Sequence, residues 1–149
     1  MSNDEFNKVE LPAIEQLKKL NWNYVEGIKL SPDESDERKS FKHVVLKKKL
    51  SQSIKKINPW INDDNLKTVV REFVQITNLN LMEANQKLYE KLTKYLSVEQ
   101  DLGEGRKSHT VKIIDFENLE NNEFLITNQF KVAGLNQNIV PDIILFVNG

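Results

Sequence analysis

Residues 111–149 read VKIIDFENLENNEFLITNQFKVAGLNQNIVPDIILFVNG, and this stretch decides the fold. Three apolar runs stand in it, separated by turn residues. The last opens with Pro141-Asp142, continues Ile143-Ile144-Leu145-Phe146-Val147 and closes on Asn148-Gly149. Five consecutive apolar residues without alternation predict a strand covered on both faces, hence a central strand. Asp142 is then expected at the open mouth of that strand, where a metal or a substrate reaches it. A central strand needs a neighbour on each side, and nothing after it in the sequence supplies one. The expectation is therefore the leading part of something longer, cut inside its sheet. The two earlier runs predict strands over residues 111–116 and 124–132, with Phe124, Ile126 and Phe130 on one face. Turns are expected over residues 118–122 and 134–138.

Before residue 110 the periodicity is helical. Leu11, Ile14, Leu17 and Leu20 recur at helical spacing and predict a first helix over residues 5–20, with Pro12 in its first regular turn. A short extended piece follows through Val25. Residues 31–37, SPDESDE, are polar and acidic and are expected to be exposed and mobile. Leu46, Leu50, Ile54 and Ile57 give a second helix starting near Lys42 and ending before Pro59. Asp63 or Asp64 is the expected N-cap of a third, whose buried face is Leu66, Val69, Val70, Phe73 and Ile76. Asn78-Leu79-Asn80 breaks it. A fourth helix is expected over residues 81–96 and a loop over 101–106. Helices first and strands afterwards give an α+β class, or an α/β core that is incomplete.

The bulk composition narrows the function. A chain of 149 residues suits one domain with a real core. Its 21 basic and 22 acidic residues leave a net charge of −1, which argues against a purely electrostatic nucleic-acid binder but not against a local basic groove. There is no cysteine, and His43 and His109 are the only histidines, so a zinc site has little to use. No run approaches the ~20 apolar residues of a membrane span, and the polar, acidic start has no signal-peptide core. A cytoplasmic protein with no membrane partner is expected.

Asp142 is the leading chemical candidate. Magnesium prefers carboxylate, carbonyl and water oxygens in octahedral geometry, and phosphodiester hydrolysis needs both charge neutralisation and an activated water. One aspartate does not suffice; it needs a second acidic ligand and often a lysine. Taken alone, Pro141-Asp142 reads first as a turn-capping residue leading into a strand, ahead of any metal role. Lys47-Lys48-Lys49 with Lys55-Lys56 fit either DNA phosphates or an ordinary solvated helix face. Gly103-x-Gly105 lacks the Gly-Lys-Ser/Thr of a phosphate loop. Trp22 and Trp60 read as packing residues, and Asp115 as part of a strand end and turn.

A wider set of residues carries a resemblance: Glu10, Leu17, Trp22 and Tyr24; Arg38, Val45-Leu46, Leu50 and Ile57-Asn58-Pro59; Ile114-Asp115-Phe116, Asn121 and Asn128-Gln129-Phe130; and the whole of residues 141–149. Together they resemble the N-terminal region of the R (restriction and motor) subunit of type I restriction-modification enzymes. The resemblance implies a restriction-endonuclease-like fold of the PD-(D/E)xK class, with residues 1–149 as the N-terminal part of a single endonuclease domain. It implies magnesium-dependent hydrolysis of double-stranded DNA by an ATP-dependent holoenzyme. The family motif's aspartate falls on Asp142 as catalytic residue and metal ligand, and Glu10, on the first helix, is the further acidic metal ligand. The family's Glu-x-Lys strand and its Gln-x-x-x-Tyr helix would follow the Asn148-Gly149 turn and are absent here, as is the ATP-using motor. The fragment by itself is therefore expected to be inactive. The implied partners are double-stranded DNA and the methyltransferase and specificity subunits. The alternative is a non-catalytic helical-plus-sheet module docking onto DNA or those subunits.

Overall fold

The structure, a computed structural model, describes residues 6–75 and 80–149, and of Leu81 the backbone alone. Parts of two expectations lie outside these residues: Glu5 at the start of the first helix, and Ile76 with Asn78-Leu79 around the helix break. The described residues fold as α+β, helices first and strands after them. They form two compact units. The first comprises residues up to 47 together with 123–147 and Gly149; the second comprises residues 48–122 and Asn148.

In the first unit a π-helical turn, Phe6–Glu10, leads into α1, Leu11–Lys19. Proline occupies the first turn of α1, where a missing N–H costs nothing. Strand β1, Asn23–Tyr24, pairs parallel with β4, Phe124–Asn128, which pairs antiparallel with β7, Ile143–Val147. Among the described residues the middle strand of this sheet is Phe124–Asn128, where the apolar run predicts Ile143–Val147. Among the described residues β7 pairs along one edge. Leu145 and Val147 are 48% and 38% exposed, whereas the other face of the strand is packed. On that face Ile144 and Phe146 pack with Val25 and Val132 against the buried Leu30, Leu46, Leu125 and Phe130. The Phe130 and Phe146 rings meet edge to face, with centroids 5.3 Å apart.

The expected strand over 124–132 is two strands. Gln129 takes φ +53°, and the chain resumes as β5, Val132–Ala133, paired with β6, Asn138–Ile139. The break turns Phe130 to the side of Leu125, not to that of Phe124 and Ile126. The acidic stretch is exposed at most of its acidic residues as expected and departs from expectation at Ser31. Ser31 and Arg38 are buried, while Asp33, Glu34 and Asp36 are exposed. Arg38 Nε donates to the Leu30 carbonyl at 2.8 Å, and the guanidinium lies 3.8 Å from the Phe130 ring centroid. Burial holds its pKa below the ordinary arginine value.

The second unit holds most of α2, Lys47–Ile57, then α3, Asp63–Val74, and α4, Leu81–Thr93. Leu50, Ile54, Leu66 and Val69 are buried as the helical spacing requires. The α2 start falls at Lys47 rather than near Lys42. Asn62, not Asp63 or Asp64, caps α3: its side chain accepts from the Asn65 N–H at 2.8 Å, which leaves both aspartates in the first turn beside the helix dipole. Helix α4 stops at Thr93, and β2, Leu96–Asp101, forms an antiparallel hairpin with β3, Arg106–Val111. The predicted strand over 111–116 retains only Val111; the backbone beyond it turns around Asp115.

Candidate functional site

The site grows from the C-terminal end of β4. Side chains alternate along a strand, so Leu125 and Thr127 face one way, Ile126 and Asn128 the other. Asn128 Oδ1 accepts from the Tyr24 hydroxyl at 2.8 Å. Its amide Nδ2 lies 3.5 Å from the Glu10 carboxylate. Gln129 Nε2 approaches the same carboxylate at 3.4 and 3.5 Å. Glu10 itself closes the π-helical turn and is 2% exposed. Among the described residues these amides are the contacts of its carboxylate, and no lysine, arginine or histidine pairs with it. A buried carboxylate without a cation is costly, because amide dipoles repay only part of the lost hydration.

Asp142 stands immediately before β7 and is exposed, at the strand mouth where the sequence puts it. Its carbonyl accepts from the Gln129 N–H at 3.2 Å. Gln129 thus touches both acidic candidates, Glu10 through its side chain and Asp142 through its backbone. Tyr24 lies beneath Lys18, whose Nζ is 5.0 Å from the ring centroid. Burial, then the charges of Glu26 and Glu10 against that of Lys18, push the Tyr24 phenol above its ordinary pKa, so it remains a neutral donor. Gly27 presses on the same corner: a Cβ there would lie 2.2 Å from the Asn128 carbonyl oxygen. A cavity of about 490 Å³, lined by Glu26, Asp33, Phe41 and Lys131, opens beside Asn128 and Gln129.

The donor set fits magnesium in kind, since carboxylate oxygens are the hard ligands that it takes. In number these residues supply part of a shell. Among the described residues no three acidic, histidine or cysteine side chains gather into a metal-holding group. The other candidates have structural surroundings. Asp115 is buried and its carboxylate accepts from the N–H groups of Glu117 and Asn118, each at 3.1 Å, and from Asn121 Nδ2 at 2.8 Å. Lys56 Nζ donates to the Glu120 carbonyl and Lys55 to that of Ile61, whereas Lys47 and Lys48 are exposed. Trp22 packs on Phe124 and Trp60 on His109. No helix among the described residues is long and apolar enough to cross a membrane.

Tyr24, Asn128 and Gln129 carry no assigned role in the sequence reading, although all three belong to the set that bears the resemblance. The signal available was the Asn128-Gln129-Phe130 triplet; the left-handed turn that gives it meaning has no mark in the residue types.

Comparison with known proteins supplies the family. The family described as type I restriction enzyme R protein N terminus matches residues 3–149. The chain is 30% identical over 145 residues to the type I restriction enzyme HindI endonuclease subunit of Haemophilus influenzae. It is 36% identical over 144 residues to a protein assigned as the endonuclease subunit of type I restriction enzyme MjaIXP in Methanocaldococcus jannaschii. These alignments cover 96% and 95% of the chain, but 14% of each relative. The buried Glu10, the Asn128-Gln129 corner and the mouth of β7 all lie inside the matched residues, and the chain belongs to the type I restriction enzyme R protein N-terminal family.

Proposed function

We propose that these 149 residues are the N-terminal part of one endonuclease domain, of the PD-(D/E)xK class, in the DNA-cleaving subunit of a type I restriction enzyme. The intact subunit hydrolyses phosphodiesters of double-stranded DNA with magnesium, in a holoenzyme that uses ATP in a separate motor domain. Methyltransferase and specificity subunits choose the target. Asp142 and Glu10 are the ligands this region contributes. The observation that carries the reading is Glu10: a residue 2% exposed, its carboxylate approached by two amides and paired with no cation among the described residues. A magnesium ion held by Asp142 and Glu10 would supply positive charge for the phosphodiester and would lower the pKa of a bound water. The chain's own part is to hold two carboxylates at the mouth of a strand, one exposed to the incoming backbone and one shielded from water. Tyr24, neutral, fixes Asn128 so that its amide faces Glu10.

The test is Asp142→Ala in the full-length subunit. Plasmid cleavage is expected to disappear while DNA-stimulated ATP hydrolysis persists, because an exposed residue before a strand carries little of the fold. Loss of both activities in a folded protein would give Asp142 to assembly or DNA loading. That outcome belongs to a second reading, a non-catalytic module that docks on DNA or on the partner subunits. It is favoured by one observation, that no group of three metal-capable side chains gathers among the described residues.

A further inference from the structure

We infer that Gln129 is the positioning residue of this site, coupling Glu10 to Asp142. The inference rests on the reading of those two carboxylates as metal ligands. Its basis is the turn at φ +53°, a left-handed conformation that a long, unbranched side chain gains nothing from locally. Such backbone persists where the surroundings over-determine it. Here they do so from three directions. Gly27 leaves no room for even a Cβ against the Gln129 carbonyl, 2.8 Å from where one would stand. Phe130 is anchored in the apolar cluster, fully buried. Asn128 is pinned by the Tyr24 hydroxyl at 2.8 Å. The turn then does two things at once. It aims the Gln129 N–H at the Asp142 carbonyl, 3.2 Å away, and it sends the side-chain amide to Glu10.

The distances to Glu10, 3.4 and 3.5 Å, lie at the long end of hydrogen bonding. A neutral amide at that range orients a carboxylate while leaving its negative charge available. Groups that hydrogen-bond to metal ligands act in this way, fixing ligand direction, and their removal typically costs about 10–100-fold in metal affinity or activity. Gln129 differs from them in holding one candidate by its side chain and the other by its backbone, so the place of the Asp142 backbone relative to the Glu10 carboxylate depends on one residue's conformation.

The experiment uses the full-length subunit assembled in its restriction complex and measures plasmid cleavage against magnesium concentration. Gln129→Gly keeps the left-handed turn and removes the amide; Gln129→Asn keeps an amide, on a shorter stem, in a residue that tolerates the turn. For Gln129→Gly the half-saturating magnesium concentration is expected to rise about tenfold, with much of the maximal rate recovered at high magnesium. Gln129→Asn should fall between it and the parent. In a Glu10→Gln background, Gln129→Gly should add little, since both changes act through the same carboxylate. An unchanged magnesium dependence in Gln129→Gly, or full additivity with Glu10→Gln, overturns the inference. Asp142→Ala in the same assay separates the two levels. If it still cuts, the ligand reading itself fails; if it is dead while Gln129→Gly titrates as the parent, only the positioning role fails.

Discussion

The carboxylate of Glu10 lies 3.4 Å from the side-chain amide of Gln129, a residue 119 positions further along the chain. That contact joins the first helical turn to the end of β4, and it sets what removal of either partner should do.

Glu10→Gln replaces a buried charge by a neutral side chain of the same shape. A buried charge without a cation is costly, and its neutral isostere avoids that cost. In chelator, the variant should melt at least as high as the parent. Magnesium should raise the parent's melting temperature and raise the variant's by less, as weakened binding to the native state requires. A variant that gains as much from magnesium as the parent would remove Glu10 from the ligand set.

Gly27→Ala should damage the fold and the site together. The added methyl would lie 2.2 Å from the Asn128 carbonyl oxygen and 2.8 Å from the Gln129 carbonyl, both of them backbone atoms that cannot swing away. Overpacking of this kind costs about 1–3 kcal/mol, sometimes more, and the upper end is expected because backbone must move. The midpoint of urea unfolding measures it.

Asp115 predicts an acid-sensitive step. Its hydrogen bond from Asn121, then those from the Asn118 and Glu117 N–H groups with help from the Lys112 charge, hold its carboxyl below the ordinary aspartate pKa. A group with a depressed folded pKa contributes stability that is fully present above its unfolded value, ~3.9. That stability is lost as pH falls through the lowered folded value. Urea midpoints measured from pH 6 down to pH 2 should fall more steeply for the parent than for Asp115→Asn. Parallel curves would assign the acid loss to other carboxylates.

Asn148 is fully buried at φ +64°, and its Nδ2 donates to the Ile113 carbonyl and to Asn122 Oδ1, both at 2.9 Å. Asn122 in turn accepts from the Asp115 N–H at 2.9 Å and donates to the Asp115 carbonyl at 2.8 Å. Asn148→Ala leaves buried acceptors short of a donor and puts a Cβ-bearing residue without a local hydrogen bond in the left-handed region. A loss of about 2–3 kcal/mol follows. Asn148→Gly, which relieves only the backbone, should recover part of it in thermal melts.

These 149 residues alone should not nick plasmid DNA in magnesium. On the proposed reading, two carboxylates would fill a minor part of an octahedral shell of six oxygens and would leave the water without a base. Nicking by purified chain that vanishes in Asp142→Ala would mean that the set is complete.

The helices of the second unit were legible because their buried stripes are apolar at every turn: Leu50 and Ile54, then Leu66 and Val69. The hairpin Leu96–Val111 was not. Its inward positions run Leu96, Val98 and then Gln100, and a glutamine breaks the alternation that marks a half-buried strand. Gln100 is buried nonetheless, because Trp60 and Asn62 give its amide backbone partners at 2.7 and 2.9 Å. Polar satisfaction by residues 38 and 40 positions away is tertiary information, absent from a local pattern. The site was half legible. As candidates, Asp142 came from its place before an apolar run, and Glu10 came only from the resemblance. The turn that links them rests on a glutamine in a conformation usually given to glycine, so no residue type announced it.

The parallel pairing of β1 with β4 sets Asn23 beside Leu125 and Tyr24 beside Ile126. During synthesis, β1 therefore emerges about a hundred residues before its partner exists. Residues 48–122 form an uninterrupted segment with its own helices and hairpin, and all of the second unit except Asn148 is available to fold while β1 still waits. In order of synthesis that segment precedes both β4 and β7, so the sheet flanked by Gln129 and Asp142 can pair only after residues 48–122 have emerged.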